Sequence, residues 1–449
     1  MKKRLKVVII GGGFGGLWAA KALADKPVDV MLIDRKNHHV FQPLLYQVAT
    51  AVLSPGEIAH PIRRILHDAK NIEVILGEVV GFDNQAKTIR LEDGTDVQYD
   101  KLIIAAGARH AYFGNDGWET WAPGLKTVED AVEIRRRIFL AFELAERKAA
   151  LTGTFDQLSF VVIGGGPTGV ELAGAIADIA RQALKSDFKE IDTSKAKVIL
   201  LEGSDRVLGT FVNELSESAL KQLTSLGVEV RLNNFVTQIE PGRVKAGEHW
   251  IDCDVVLWAT GVAASPLGKQ LGVETDKAGR VFVEPDLSVP GQKDIFVIGD
   301  MASIKQADGT PVPGVSPAAM QMGTATAKNI LADLKDVARK DFEYVDKGSM
   351  ATIGRSKAIA QVFGLKLRGF IAWLFWLFLH VMFLIGFRNK LSVMFGWFWA
   401  YLTRERSARL ITGDANELRN ALVFMEGAEA IDMLESLSTK PDPEPVERK

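Results

Sequence analysis

The chain has 449 residues, a formal net charge of −2 and 24% charged residues, so it can hold two or three domains and lacks the basic excess that nucleic-acid binding requires. Its single cysteine, Cys253, excludes an internal disulfide, a C-x-x-C redox pair and an iron–sulfur cluster, and disfavours sulfide oxidation, which needs several thiols. No histidine or cysteine cluster has metal-ligand spacing, so no metal is expected.

Lys2, Lys3, Arg4 and Lys6 precede apolar residues, as in a secretory signal. The apolar run Val7–Ile10 ends after four residues, shorter than the about 7–15 of a signal's apolar core. It reads as a first strand, and the chain is expected on the cytoplasmic side of any membrane. Gly11, Gly13 and Gly16 follow in G-x-G-x-x-G spacing and open an Ala- and Leu-rich helical stretch at Phe14. Such glycines permit a tight turn and let backbone N–H groups approach a pyrophosphate, whose charge the helix N-terminus favours. Val28–Ile33 reads as a second strand. Asp34 closes it 18 residues past Gly16, where an acid accepts hydrogen bonds from ribose hydroxyls, and Arg35 follows as a further cofactor contact. This half ends in the run Tyr99–Gly107, with Ala106 before the last glycine.

The pattern then repeats. Phe160–Ile163 leads into Gly164, Gly166 and Gly169, with Pro167 and Thr168 opening the next helix. Lys197–Leu201 reads as a strand closed by Glu202, 33 residues beyond Gly169, so the intervening helix or loop must be extended. An acid there repels a 2′-phosphate, which favours NADH over NADPH; Arg206 reads as a solvated loop arginine. The closing run is Cys253–Gly261, with Thr260 before the glycine and Cys253 as a small core residue. Gly107 follows Gly11 by 96 residues and Gly261 follows Gly164 by 97. Two matched sites imply two nucleotides with electrons passing between them. Further on, Ile295–Ile298 reads as a return strand ending in Gly299 and Asp300.

The tail differs in chemistry. Residues 347–404 contain no acid, eight lysines and arginines, and four of the nine tryptophans: Trp373, Trp376, Trp397 and Trp399. Phe370–Phe387 is an almost uninterrupted apolar run of 18 residues, broken by His380, against the about 20 that a spanning helix needs. Such a run suits a buried core helix, a single span or an in-plane anchor. Aromatic residues and cations without acids favour the anchor, with apolar faces in the acyl boundary and cations at anionic headgroups. Leu391–Leu402 is too short to span. His380 reads as a satisfied interfacial histidine rather than a proton donor. Residues after Thr412 form an acidic, helix-like appendix whose end, Thr439–Lys449, reads as disordered.

These marks together resemble those of two-dinucleotide flavoproteins and, more narrowly, the type II NADH dehydrogenases, single-subunit NADH:quinone oxidoreductases that do not pump protons. The resemblance rests on the segment Asn37–Thr50, on the second fingerprint with Glu171, on Pro317–Gly323 and on Gly386-Phe387-Arg388-Asn389-Lys390, and covers the chain to about residue 412. It implies an α/β fold of two Rossmann-like domains, for FAD and NADH, with a C-terminal amphipathic membrane-anchoring helical region. The implied boundaries are 1–112 and 266–345 for FAD, 113–265 for NADH, 346–412 for the anchor and 413–449 for the tail. By resemblance, Asp300 binds the flavin ribitol, Gln42, Pro43, Tyr46 and Thr50 lie along the flavin ring, and Glu171 stands at the nicotinamide–flavin stack. Ala318 and Ala319 would contact the cofactor and Gln321 the quinone, while Pro317 replaces a family glutamine. The implied partners are a membrane quinone and the lipid surface of the inner (cytoplasmic) membrane, and a homodimer is compatible with these signals. The alternative is a soluble ferredoxin or rubredoxin reductase of the same plan, which has no use for the aromatic tail.

Overall fold

A computed structural model describes residues 4–403, 406 and 408–412. The acidic appendix therefore lies outside the described residues. Leu5–Ile10 forms β1, and its Val7–Ile10 side chains are buried on both faces, as a central parallel strand requires. The chain continues through α1 (Phe14–Leu23), β2 (Val28–Asp34), α2 (Leu45–Ala49), β3 (Ile72–Leu76), β4 (Lys101–Ile104) and the short β5 (Ala108–His110). Helix α3 (Val128–Thr152) starts at a capping box between Thr127 and Asp130 and stops at Gly153 in the left-handed region. It packs against α2.

The second copy runs β6 (Ser159–Ile163), α4 (Pro167–Asp178), β7 (Lys197–Leu201), β8 (Val228–Arg231), β9 (Val255–Trp258) and β10 (Val262–Ala264). Its parallel sheet has the order β8-β7-β6-β9. The longer connection foreseen before Glu202 is a π-helical turn, Ile179–Ala183, and a 3-10 turn, Thr193–Lys195. The chain then returns to the first sheet with β11 (Ser288–Val289) and β12 (Gln292–Val297), giving the order β11-β12-β4-β1-β2-β3. Helix α5 (Ser316–Asp333) lies on α1. Their crossing is close because a Cβ at Gly323 would stand 2.2 Å from the Gly15 carbonyl oxygen.

The tail departs from the helical expectation. Residues 349–368 form an antiparallel meander, β13 (Ser349–Gly354), β14 (Lys357–Val362) and β15 (Leu365–Arg368). Two-residue turns make it: Ser356 has φ 61°, and Phe363 and Gly364 have φ 49° and 80°, the positive values that tight hairpins demand. The apolar run then divides at Gly386, φ 88°, into α6 (Gly369–Phe383) and α7 (Phe387–Thr403). Among the described residues no helix is long and apolar enough to cross a membrane. Both helices leave apolar side chains in solvent: Ile371, Leu374, Phe378 and Met382 on α6, and Leu391, Met394, Phe395 and Phe398 on α7. The tryptophans divide. Trp399 is exposed, whereas Trp376 is buried and Trp397 turns inward, because its indole N–H finds a partner at Gln47.

Candidate active site

The two fingerprints fold alike. Gly11 and Gly164 have φ +98° and +108°, and a Cβ on Gly16 or Gly169 would stand 1.8 Å from the carbonyl oxygen of Gly11 or Gly164. Only glycine fits either pair. Gly13 and Gly166 precede α1 and α4, neither helix has a side-chain cap, and a Cβ on either glycine would meet nothing within 4 Å. Two uncapped helix N-termini with open space beside them fit two pyrophosphates. The acids are placed identically despite their different spacing. Asp34 accepts hydrogen bonds from the Gly12 and Lys36 N–H groups at 2.5 and 2.6 Å. Glu202 accepts from the Gly165 N–H at 2.5 Å and from Ser204 N–H and Oγ at 2.7 Å. Burial raises the Asp34 carboxyl above its ordinary range, against the pull of those two N–H groups. His39, buried against Phe14, bonds the Gly12 carbonyl through Nδ1 at 3.0 Å and braces the first cradle. Arg35 points outward, 3.9 Å from Glu78.

The closing phrases meet each other. Ala106 and Gly107 end the β4 segment, Thr260 and Gly261 end the β9 segment, and the strands that follow, β5 and β10, pair antiparallel with Arg109 opposite Ala263. Gly299 turns at φ +68°, Asp300 follows it next to Gly314, and a Cβ at Gly299 would stand 3.4 Å from that of Ala319. Ala318 and Ala319, both buried, lie in the first turn of α5.

Between the cradles lies a cavity of about 300 Å³. Phe14, Gln42, Pro43 and Tyr46 line it from the first half, and Pro167, Thr168, Glu171, Thr260 and Gly261 from the second. Ser316 closes it at the start of α5, with Trp258, Lys126, Met350 and His380. A second, more apolar cavity of about 120 Å³ lies beneath the tail, among Gln47, Thr352, Trp373, Trp376, Trp397 and Arg406. Tyr46 and Glu171 line both and thus form the wall between them.

That wall is electrostatically unusual. Burial pushes the Glu171 carboxyl up to about 8, opposed only by the Thr352 N–H at 3.4 Å. The Tyr46 hydroxyl, also raised by burial and then by Glu171, accepts from the Gln47 amide at 2.8 Å. Gln47 in turn accepts from the Trp397 indole at 2.6 Å, so a continuous hydrogen-bonded chain joins α7 to Tyr46. Thr50 is fully buried, its hydroxyl donating to the Tyr46 carbonyl at 2.8 Å, and its own carbonyl accepts from Arg406 at 2.6 Å. Arg406 is itself buried and paired with Asp178 at 2.5 Å.

Two expectations need correction. Gln321 lines neither cavity; its amide is engaged with both backbone groups of Val345 at 3.0 Å, on an outer groove shared with Pro317 and Met320. Helical phase explains this: Gln321 lies about 140° around α5 from Ser316, on a flank that lines the outer groove with Pro317 and Thr324. His380 is no lipid-interface histidine, since its ring reaches the inner cavity. Sequence reasoning also missed Trp258, Gln47, Trp397 and Arg406. Trp258 lies inside a closing phrase already singled out, and Gln47 inside the Asn37–Thr50 segment, whereas nothing local marks Arg406.

The sequence profile of the pyridine nucleotide-disulphide oxidoreductases matches residues 5–323, and that of the NDH2 C-terminal domain matches residues 347–405. The chain is 45% identical over 440 residues to the type II NADH:quinone oxidoreductase NdhA of Mycobacterium tuberculosis, covering 94% of this chain and 93% of that protein. It is 30% identical over 375 residues to the type II NADH:quinone oxidoreductase of Staphylococcus aureus, covering 82% and 92%. In fold it is similar to NDH2 from Plasmodium falciparum in complex with NADH, with a TM-score of 0.82, 20% identity and coverage of 92% and 100%. It is also similar to the sulfide:quinone oxidoreductase from Aquifex aeolicus, with a TM-score of 0.69, 20% identity and coverage of 87% and 92%.

Proposed function

The chain belongs to the type II NADH:quinone oxidoreductases, and from that membership we propose that it oxidises NADH through FAD and passes two electrons to a membrane quinone without pumping protons. The observation that carries this reading is the Tyr46–Glu171 wall, which separates a cavity fed by both cradles from an apolar cavity under the exposed tail helices. When bound, FAD supplies the two-electron chemistry. The protein's own groups supply position, charge and protons.

We assign FAD to the first cradle, where Gly13, Asp34 and Asp300 meet the pyrophosphate, ribose and ribitol, and NADH to the second, through Gly166 and Glu202. Gln42, Pro43 and Tyr46 form the flavin wall, with Thr168, Glu171 and Thr260 facing it from the nicotinamide side. The apolar cavity lined by Trp373, Trp376 and Trp397 suits a quinone headgroup arriving from lipid, in place of the contact expected of Gln321. Glu171, protonated at neutral pH, is the acid from which quinone draws a proton as electrons arrive, water then restoring it. Exposed apolar side chains on α6 and α7, with Arg388 and Lys390 between them and no acid, support in-plane docking on a membrane surface, which we assign to the cytoplasmic face of the inner membrane.

Stopped-flow spectroscopy of the purified protein tests this reading. NADH is expected to bleach the flavin and a quinone analogue to restore its colour. A flavin that NADH bleaches but quinone leaves reduced would rule out the second half of the reaction.

A further inference from the structure

His380 is the one titratable side chain that the tail helices contribute to the inner cavity. Its ring is held on three sides. It stacks on Trp376 with centroids 4.0 Å apart, meets Phe41 edge-on at 6.1 Å, and its Nδ1 lies 2.8 Å from the Trp376 carbonyl oxygen. A carbonyl only accepts, so Nδ1 must carry the proton, and in a neutral imidazole Nε2 is then a bare acceptor. Burial keeps the ring neutral by lowering its pKa to about 4. Nε2 has no hydrogen-bond partner among the described residues. Trp376, on which the ring rests, lines the apolar cavity, so His380 stands where that cavity meets the inner one.

We propose that Nε2 of His380 holds a hydroxyl of the reduced product, a dihydroxy-aromatic quinol, and gives the site a preference for quinol over quinone. The inference rests on the reading that a quinone entering through the apolar cavity is reduced where that cavity meets the inner one. The chemistry supplies the distinction. A quinone presents two carbonyl oxygens, which accept hydrogen bonds and find nothing at a bare nitrogen. Reduction adds two electrons and the hydride's hydrogen from NADH by way of FAD, and one proton drawn from water through Glu171. Both C=O groups thereby become O–H groups, which donate. An acceptor that bonds only the reduced form strengthens as the O–H forms and so acts in the transition state rather than on the substrate. The histidine transfers no proton; it aligns one.

The test uses full-length protein with FAD bound, a short-chain benzoquinone and its hydroquinone, each titrated by quenching of flavin fluorescence. His380→Phe keeps an aromatic ring against Trp376 and Phe41, and His380→Gln restores an acceptor. Loss of one hydrogen bond should weaken hydroquinone binding in His380→Phe by about tenfold, with quinone binding changed by less than about twofold. His380→Gln should recover part of the hydroquinone affinity. Equal weakening of both forms would make the ring a packing element and overturn the inference while leaving quinone reduction intact, as would unchanged affinity for both. A wild-type flavin that quinone does not reoxidise would instead remove the reading on which the inference stands, and the inference with it.

Discussion

Replacing Gly174 by alanine tests whether the tail is seated on the NADH-side helix through backbone contact. Gly174 lies in α4 one turn beyond Glu171, and a Cβ built there stands 1.8 Å from the Ile353 carbonyl oxygen and 2.8 Å from its carbon. An ordinary C···O contact is about 3.3 Å, so β13 would have to withdraw by about 1.5 Å. In an open helix alanine would be better than glycine by about 1 kcal/mol. Overpacking costs about 1–3 kcal/mol and prevails here, because a strand carbonyl cannot rotate aside as a side-chain tip can. The Thr352 N–H, already 3.4 Å from Glu171, would leave hydrogen-bond range. Its loss removes the group that opposes burial at that carboxyl and opens the wall between the cavities. The expected outcome is a lower melting temperature and quinone turnover reduced by about tenfold or more, since an ångström of misplacement can cost about a hundredfold. Reduction of a small soluble acceptor should suffer less. A Gly174→Ala protein with wild-type melting and a wild-type ratio of the two activities would refute close docking of β13 on α4.

Three further outcomes follow from the same geometry. With Glu171 protonated below about pH 8, quinone turnover should fall as pH rises through that value; Glu171→Gln should lack this alkaline limb, and a limb that persists in the variant would belong to another group. Gly166 has φ −70° and open space where a Cβ would go, so Gly166→Ala should keep or raise stability by about 0.4–1 kcal/mol while the KM for NADH rises by about tenfold or more; an unchanged KM would mean that no pyrophosphate approaches there. Phe378 and Phe395 are 61% and 66% exposed, so the double change to glutamate should leave the fold intact and abolish flotation with anionic vesicles. Continued flotation would place the lipid contact elsewhere.

What could be read from the sequence was what backbone geometry enforces. The contacts at Gly16 and Gly169 tolerate no side chain, so the glycine spacing announces both cradles, and the strand runs fix where Asp34 and Glu202 stand. Residues whose role depends on helix phase or distant packing were less legible. Gln321 matched a pattern, but its amide serves Val345. The β13–β15 meander was missed because its short strands sit within an acid-free stretch dominated by its aromatic helices. Arg406 was missed because its partners, Thr50 and Asp178, lie in two other parts of the chain. Glu171 and Tyr46 were both found, but as neighbours of a cofactor; that they form one partition depends on the tail lying across them.

The β5–β10 ribbon carries a consequence for descent and for engineering. It joins the two halves through peptide groups, with Ala108 opposite Ala264 and His110 opposite Val262. Main-chain pairing makes few demands on side-chain identity, so either half can drift, duplicate or be exchanged while the donor and acceptor stay facing each other. A chimera that swaps residues 113–261 for a homologous segment should inherit its new nucleotide preference without losing the path between the two sites. Alignment here is a property of the scaffold, which leaves the side chains free to specialise.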